Sequence, residues 1–231
     1  MATLEQWRNR TTARSFYDTI PDVNIMQEID ECLNHMPIQV TSTNKKHPNF
    51  AILRLGPEDK DIKEALVRKV FFITEPTEYF TAVYDAPYVY LFLEALIDNA
   101  PIELSDNIVH TNMGVVCGGL ITEAIGRGLD AGSFACAQVT WDYVAKQPNK
   151  THKKLHNSIH QRFAKQIAAL KTAHGENFGL GSVMMAVCVG HAKPLVTRGS
   201  PVLERHPALS LPYVNFGKVP NKAQPFHILA E

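Results

Sequence analysis

Cysteine is scarce in this chain. Its 231 residues hold four, Cys32, Cys117, Cys136 and Cys188, and none forms a CxxC pair. That excludes a zinc ribbon and fits free thiols in a reducing compartment. A surplus of either charge is also missing: Lys+Arg and Asp+Glu both number 23. A nucleic-acid binder needs a basic excess to neutralise phosphates, so that class is excluded as a partner. No apolar run reaches the length of a membrane span; "APYVYLFLEALI" (86–97) is strand-sized with a tail. The opening "MATLEQWRNR" has no apolar signal core, so a cytoplasmic protein without membrane attachment is expected. No GxGxxG loop follows a strand pattern, which removes the pyrophosphate-binding fingerprint of dinucleotide folds.

The residues that are present suit a packed domain. Hydrophobic residues make up 45% and charged residues 20%, enough to bury a sizeable core. Residues 21–36 place Ile25, Ile29, Leu33 and Met36 at helical spacing, with Asp22 as a cap. A polar break over 41–49 precedes an apolar strand at 50–55, and 58–72 reads as helix. Aromatic and β-branched residues over 86–95 predict a buried strand. After a polar stretch (98–111), Val116, Leu120, Ala124 and Ile125 predict a helix buried on most sides. Gly118 and Gly119 would let it pack closely, and Gly128 would end it. "LDAGSFACAQ" reads as a loop or short strand, 150–174 as a long basic helix and 181–190 as a core strand. The order predicts an α+β fold, a central sheet flanked by helices. No repeat or linker appears, so residues 1–231 read as a single domain. Residues 193–231, rich in proline and in residues such as Leu203, Leu209, Leu211, Tyr213 and Phe226, read as an extended arm. Such an arm must be buried against something, and a second subunit would serve.

Two arginines stand out in "NRTTARSF" (9–16). A guanidinium offers paired donors to phosphate oxygens, and hydroxyls beside it add directional bonds. Arg10, Thr11, Thr12 and Arg14 therefore make a candidate anion cradle, although the octet alone also fits two solvated charges at a helix start. His152, His156 and His160 share one helix face at i, i+4 and i+8. No carboxylate joins them, and Lys150, Lys153, Lys154, Arg162 and Lys165 would repel a cation there. The face reads as solvated, and no metal site is expected.

Taken in order, these blocks resemble the FMN-dependent nitroreductase family. The family opens with an Arg-x-Ser/Thr-x-Arg/Lys cluster, here Arg10-Thr11-Thr12-Ala13-Arg14. Its Ser-Ser-x-Asn-x-Gln-Pro-Trp-x-Phe loop is matched by Thr41, Ser42, Asn44 and Phe50, while the Gln-Pro-Trp is not. A strand near Ala86-Pro87, a Gly-rich helix ending at Gly128-Leu129 and a strand ending at Gly190 come next. A late basic residue, Arg205, stands where the family returns to the phosphate.

The resemblance implies a nitroreductase-like mixed or antiparallel sheet and a homodimer wrapped by the C-terminal arm. It implies FMN as cofactor, with Arg10, Thr12 and Arg205 on its phosphate, Arg14 near the ring, and Thr41, Ser42 and Asn44 on its polar edge. Gly132, Ser133, Phe134, Ala135 and Cys136 would form a loop offering backbone N–H groups to the flavin. No side chain is a catalytic acid or base in this reading: NAD(P)H passes hydride to flavin N5, and a nitroaromatic, quinone or similar small acceptor then takes two electrons in ping-pong order. The chain departs from the family in two places. Ala135-Cys136 stand where a Glu-Gly pair is common, and a family cation is absent near Ala82. The sixteen residues between Ala95 and Asn112 leave little room for a helical lid. The alternatives are a flavin-storing protein with little turnover, a narrower reaction on the same fold, and a structural protein without flavin.

Overall fold

The computed structural model describes residues 13, 15–37, 50–69, 81–98, 100–101, 106–139 and 157–193. In chain order these form α1 (Val23–Asn34), β1 (Phe50–Leu55), α2 (Lys60–Lys69), α3 (Thr81–Asp85), β2 (Tyr88–Ile97) and β3 (Ala100–Pro101). They continue with α4 (Asp106–Gly126), β4 (Asp130–Val139), α5 (Ala164–His174) and β5 (Phe178–Gly190). The sheet runs β1-β2-β5-β4, and β3 adds a short pairing to β2. Every pairing is antiparallel.

Both faces of the sheet are covered, which is why β2 and β5 are apolar almost without alternation. On one face Val89, Leu91 and Leu93 of β2 pack with Ile62 and Leu66 of α2, Val83 of α3 and Ile167 of α5. On the other, Tyr88, Tyr90 and Phe92 pack with Met26 and Ile29 of α1 and with Met113, Leu120 and Ala124 of α4. Strand alternation sends neighbours on β2 to opposite helical layers.

The sequence limits hold at several places. Asp22 caps α1, its Oδ1 accepting from the Asn24 N–H at 2.8 Å. β1 matches its expected range. Gly128 ends the α4 turn at φ +76°, a left-handed conformation that costs glycine little, and the Leu129 N–H returns to the Ala124 carbonyl at 2.9 Å. Gly119 permits close packing as expected: an added Cβ would lie 2.5 Å from the Met36 methyl group. Gly118, by contrast, has nothing within 4 Å of that position.

Other limits differ. α4 begins at Asp106, inside the stretch expected to be loop. The polar residues misled because they lie on the outer side of a helix: His110 and Thr111 are exposed while Val109, Asn112 and Met113 are buried. Ile108–Gly126 is also long and apolar enough to cross a bilayer by length and composition, although the sequence showed no unbroken run. Half of that span is buried within the protein, against the sheet, as a core helix would be. The segment Gly132–Cys136 is not a loop but the body of β4, paired with β5 from Asp130↔Gly190 to Ala135↔Met185. The expected basic helix is helical over 157–162 and again in α5, with a break at the buried Phe163. Its residues 150–156, including His152 and His156, lie outside the described residues.

The register shifts sit together. On β4, the pairs Ala135↔Met185 and Val139↔Val183 are separated by four steps on one strand and two on the other. On β2, shifts fall between Phe92 and Ala95, opposite the same part of β5.

Candidate functional site

The chain on either side of Arg14 is tied to one end of the sheet. The Ala13 N–H donates to the Ala131 carbonyl at 3.3 Å, and Phe16 forms a bridge with Ala192. The Tyr17 N–H donates to the His191 carbonyl at 2.8 Å, and the Lys193 N–H donates to the Ser15 carbonyl at 2.9 Å. Ala13 and Phe16 are buried. These are strand-like contacts made outside the regular ladder, and they hold both chain neighbours of Arg14 where β4 starts and β5 ends. Two carboxylates reinforce the place. Asp130 Oδ2 accepts from the Ala192 N–H at 2.9 Å, and Asp85 Oδ2 accepts from the Ser15 hydroxyl at 3.4 Å.

The junction leaves no space at Gly190. A Cβ there would lie 2.6 Å from Pro87 Cδ and 3.1 Å from Phe16 Cδ1. Beneath Pro87, Lys63 of α2 reaches up from the core, only 1% exposed. Its Nζ donates to the carbonyls of Ala86 and Pro87 at 2.8 and 2.9 Å. Burial brings the Lys63 ammonium down from its ordinary value to about 8, partly opposed by Cys188, Asp59 and Glu58. Asp59 is itself buried and held: Oδ2 accepts from the Gly56 N–H at 2.8 Å and Oδ1 from Arg162 Nε at 2.8 Å. Arg162 also reaches Glu58 Oε1 at 2.6 Å.

Of the residues singled out from sequence, Ser133 lies on β4 two positions beyond Ala131, opposite Val187 and partly buried. Phe134, Ala135 and Cys136 continue the same strand. The strand borders the sheet among the described residues, so alternate backbone N–H and C=O groups point away from β5. The Ala131 carbonyl, which accepts from Ala13, is one of these outward groups, and the segment is a strand rather than the expected loop. Arg10, Thr11, Thr12, Arg14, Thr41, Ser42, Asn44 and Arg205 lie outside the described residues. Among the described residues no group of three or more His, Cys, Asp or Glu could hold a metal ion.

Sequence reasoning missed Lys63, Asp59 and Asp85. A signal for the first two existed: Asp59, Ile62, Lys63 and Leu66 recur at i, i+3, i+4 and i+7, so a lysine and an aspartate fall on the apolar face of α2. Charged residues on that stripe must find buried partners.

The antiparallel four-strand order with helices on both faces is the nitroreductase fold. No family model matches the chain, and no curated protein does. Solved structures carry the likeness. A nitroreductase family protein from Clostridium novyi NT is similar at TM-score 0.52 and 13% identity, over 84% of this chain and 86% of that one. An FMN-dependent nitroreductase from Clostridium difficile R20291 is similar at TM-score 0.50 and 16% identity, over 85% and 97%.

Proposed function

We propose that this protein is an FMN-dependent oxidoreductase that takes electrons from NAD(P)H and passes them to a nitroaromatic, quinone or similar small acceptor. The observation that carries the reading is the anchoring of Ala13 and Ser15 beside the first residues of β4. It brings the chain neighbours of Arg14 to the strand that carries Ser133 to Cys136. The donor set fits the cofactor: arginines and hydroxyls for a phosphomonoester, backbone N–H groups for the polar rim of a flavin. When bound, FMN supplies hydride acceptance and release at N5.

In this reading Arg10, Thr11 and Thr12 bind the phosphate, with Arg205 closing its far side. Arg14 places a cation near the ring, where it favours the added negative charge of reduction. Thr41, Ser42 and Asn44 orient the polar edge, and the β4 segment from Ser133 to Cys136 lines the other side. β2 ends at Ile97 and α4 starts at Asp106, which leaves residues 98–105 little scope for a lid. We further propose a cytoplasmic homodimer built from one domain over 1–231, with the arm 193–231 lying on the partner. Its support is exposed apolar surface: Tyr17, Ile20 and Val23 beside the anchored segment, and Val115 next to Gly114 on α4.

An absorbance spectrum of the purified protein between about 350 and 500 nm tests the cofactor, because flavin carries its own chromophore. Mass spectrometry of the released group should give FMN; FAD, or a colourless protein that takes up no added FMN, would sink the proposal. Arg10→Ala should weaken FMN binding by about 1.5–3 kcal/mol, the value of a charge-assisted contact, measured by fluorescence titration.

A second reading, flavin storage with little turnover, is favoured by one observation. Ala82, where the resemblance would have a cation, is fully buried in the core. Stopped-flow mixing with NADH and with NADPH separates the two, since a storage protein would stay yellow.

A further inference from the structure

Lys63 is a costly group to bury, an ammonium only 1% exposed in the core. A methionine would fill similar space without an ammonium to desolvate. The lysine is explained instead by what it holds. Ala86 comes directly after α3, its N–H donating to the Ala82 carbonyl at 2.9 Å. Pro87 has no N–H at all, so the carbonyls of the pair are the groups by which this turn can be gripped from below. Lys63 Nζ grips both, at 2.8 and 2.9 Å. The Pro87 ring then lies against Gly190, where even a Cβ would meet it at 2.6 Å, and Phe16 closes on the same point at 3.1 Å. Phe16 belongs to the segment that Ala192, His191 and Lys193 hold. Contact therefore runs without a gap from Lys63 through Pro87 and Gly190 to the segment beginning at Ala13.

We propose that Lys63 is a positioning residue: by fixing the Ala86 and Pro87 carbonyls, it sets where Ala13, Ser15, Phe16 and Tyr17 meet the sheet. Its consequence for cofactor affinity rests on the FMN reading above; its geometry does not. The charged and titratable groups facing it are Asp59, Glu58 and Lys60 at the start of α2 and Cys188 on β5. Arg162 neutralises Asp59 and Glu58, and Asp85, one residue before Ala86, accepts from Ser15. The neutral amine keeps two N–H donors for the two carbonyls and is the form that burial favours, so the grip holds as the amine titrates.

The test compares wild-type protein with Lys63→Met and Lys63→Gln by amide hydrogen exchange without FMN, and by FMN titration. Lys63→Met should retain a cooperative unfolding transition yet exchange the Tyr17 and Lys193 amides about tenfold faster and bind FMN about tenfold more weakly, the scale of one lost hydrogen bond. Lys63→Gln, which keeps two N–H donors on a shorter stem, should fall between. In the wild type, protection of these two amides, corrected for intrinsic exchange, should rise between about pH 7 and 9, because burial disfavours the ammonium, and the methionine variant should show no such rise. Wild-type exchange at both amides in Lys63→Met would overturn the proposal. A wild-type protein that binds no FMN would remove the FMN reading alone and leave the exchange experiment to decide. Should the methionine variant not fold, Gly190→Ala loads the same junction from the opposite side; unchanged exchange at Tyr17 and Lys193 in that variant would equally overturn the proposal.

Discussion

Against one face of β2, Lys63 meets two carbonyl oxygens; against the other, the Tyr90 hydroxyl donates to Asp30 Oδ1 at 2.9 Å while Arg54 Nη1 stands 2.7 Å from Asp30 Oδ2. The first cluster ties a helix to the turn that enters β2 and the second ties a helix to β2 itself, and only the second pairs the helix with an opposite charge directly. The Asp30 carboxyl is pushed up by burial and pulled back by Tyr90 and Arg54. The Tyr90 phenol is pushed well above its ordinary range, chiefly by burial and then by Asp30. Tyr90 does not change charge near neutrality. Lys63, whose anionic neighbours are engaged by Arg162, is a buried group whose charge shifts within reach of physiological pH. The two clusters thus differ as a weld, which fixes α1 to the sheet, differs from an adjustable grip at the end where three chain segments converge.

The contrast breaks most visibly at Gly190. Gly190→Val should destabilise the protein by about 3 kcal/mol in chemical denaturation, because Pro87 and Phe16 would both have to move to admit the side chain. A loss below about 0.5 kcal/mol would mean that the junction is loose and the two clusters do not differ in the way described. Arg162→Ala should cost about 2 kcal/mol, since it leaves the buried Asp59 Oδ1 without its charged donor. On the other face, Tyr90→Phe should cost about 1.5 kcal/mol and raise the Asp30 pKa further, followed by carboxyl NMR titration. An Asp30 pKa that falls would show the phenol to be a passive neighbour.

The smallest effect is the pH dependence. Lys63 titrates near 8 when folded and near its ordinary value of 10.5 when unfolded. Between those values the unfolded chain holds more protons at this position, so its contribution to stability rises with pH. The gain between pH 7 and 9 is about 1 kcal/mol. It should vanish in Lys63→Met, which the difference between the two denaturation series would reveal. Above about pH 10 the raised Tyr90 works in the opposite direction, because the unfolded phenol loses its proton first.

Much of the fold was legible because its strands carry their signal in composition. β1, β2 and β5 are runs of aliphatic and aromatic residues, and their predicted ranges lie close to those observed. β4 was half-hidden, since Asp130, Gly132 and Ser133 look like turn chemistry and only pairing with β5 makes them extended. The start of α4 was obscured by polar residues that a helix turns to solvent. For the site, the arginine cluster and the arm are expectations from residue type and spacing, and Arg10, Arg14 and residues 194–231 lie outside the described residues. The contacts that bring Ala13 and Ser15 to Ala131 and Lys193 could not be read from the sequence, because they are backbone bonds between segments more than a hundred residues apart. Lys63 could have been found by asking why a lysine shares a stripe with Ile62 and Leu66.

The irregular pairing between β4 and β5 carries a consequence for how this sequence can change length. From Ala135 to Val139 the edge strand takes four steps while β5 takes two, so it carries two surplus residues, an even number. A surplus of two leaves the alternation of the strand in phase on both sides. Removing any two residues among 136–138 would therefore regularise the ladder and keep the rest of the strand facing as it does, whereas removing one would invert every position beyond it. In a lineage of such proteins, insertions and deletions at this place should come in pairs, and Asp130 to Ala135, the stretch whose Ala131 carbonyl accepts from Ala13, would keep its phase through all of them.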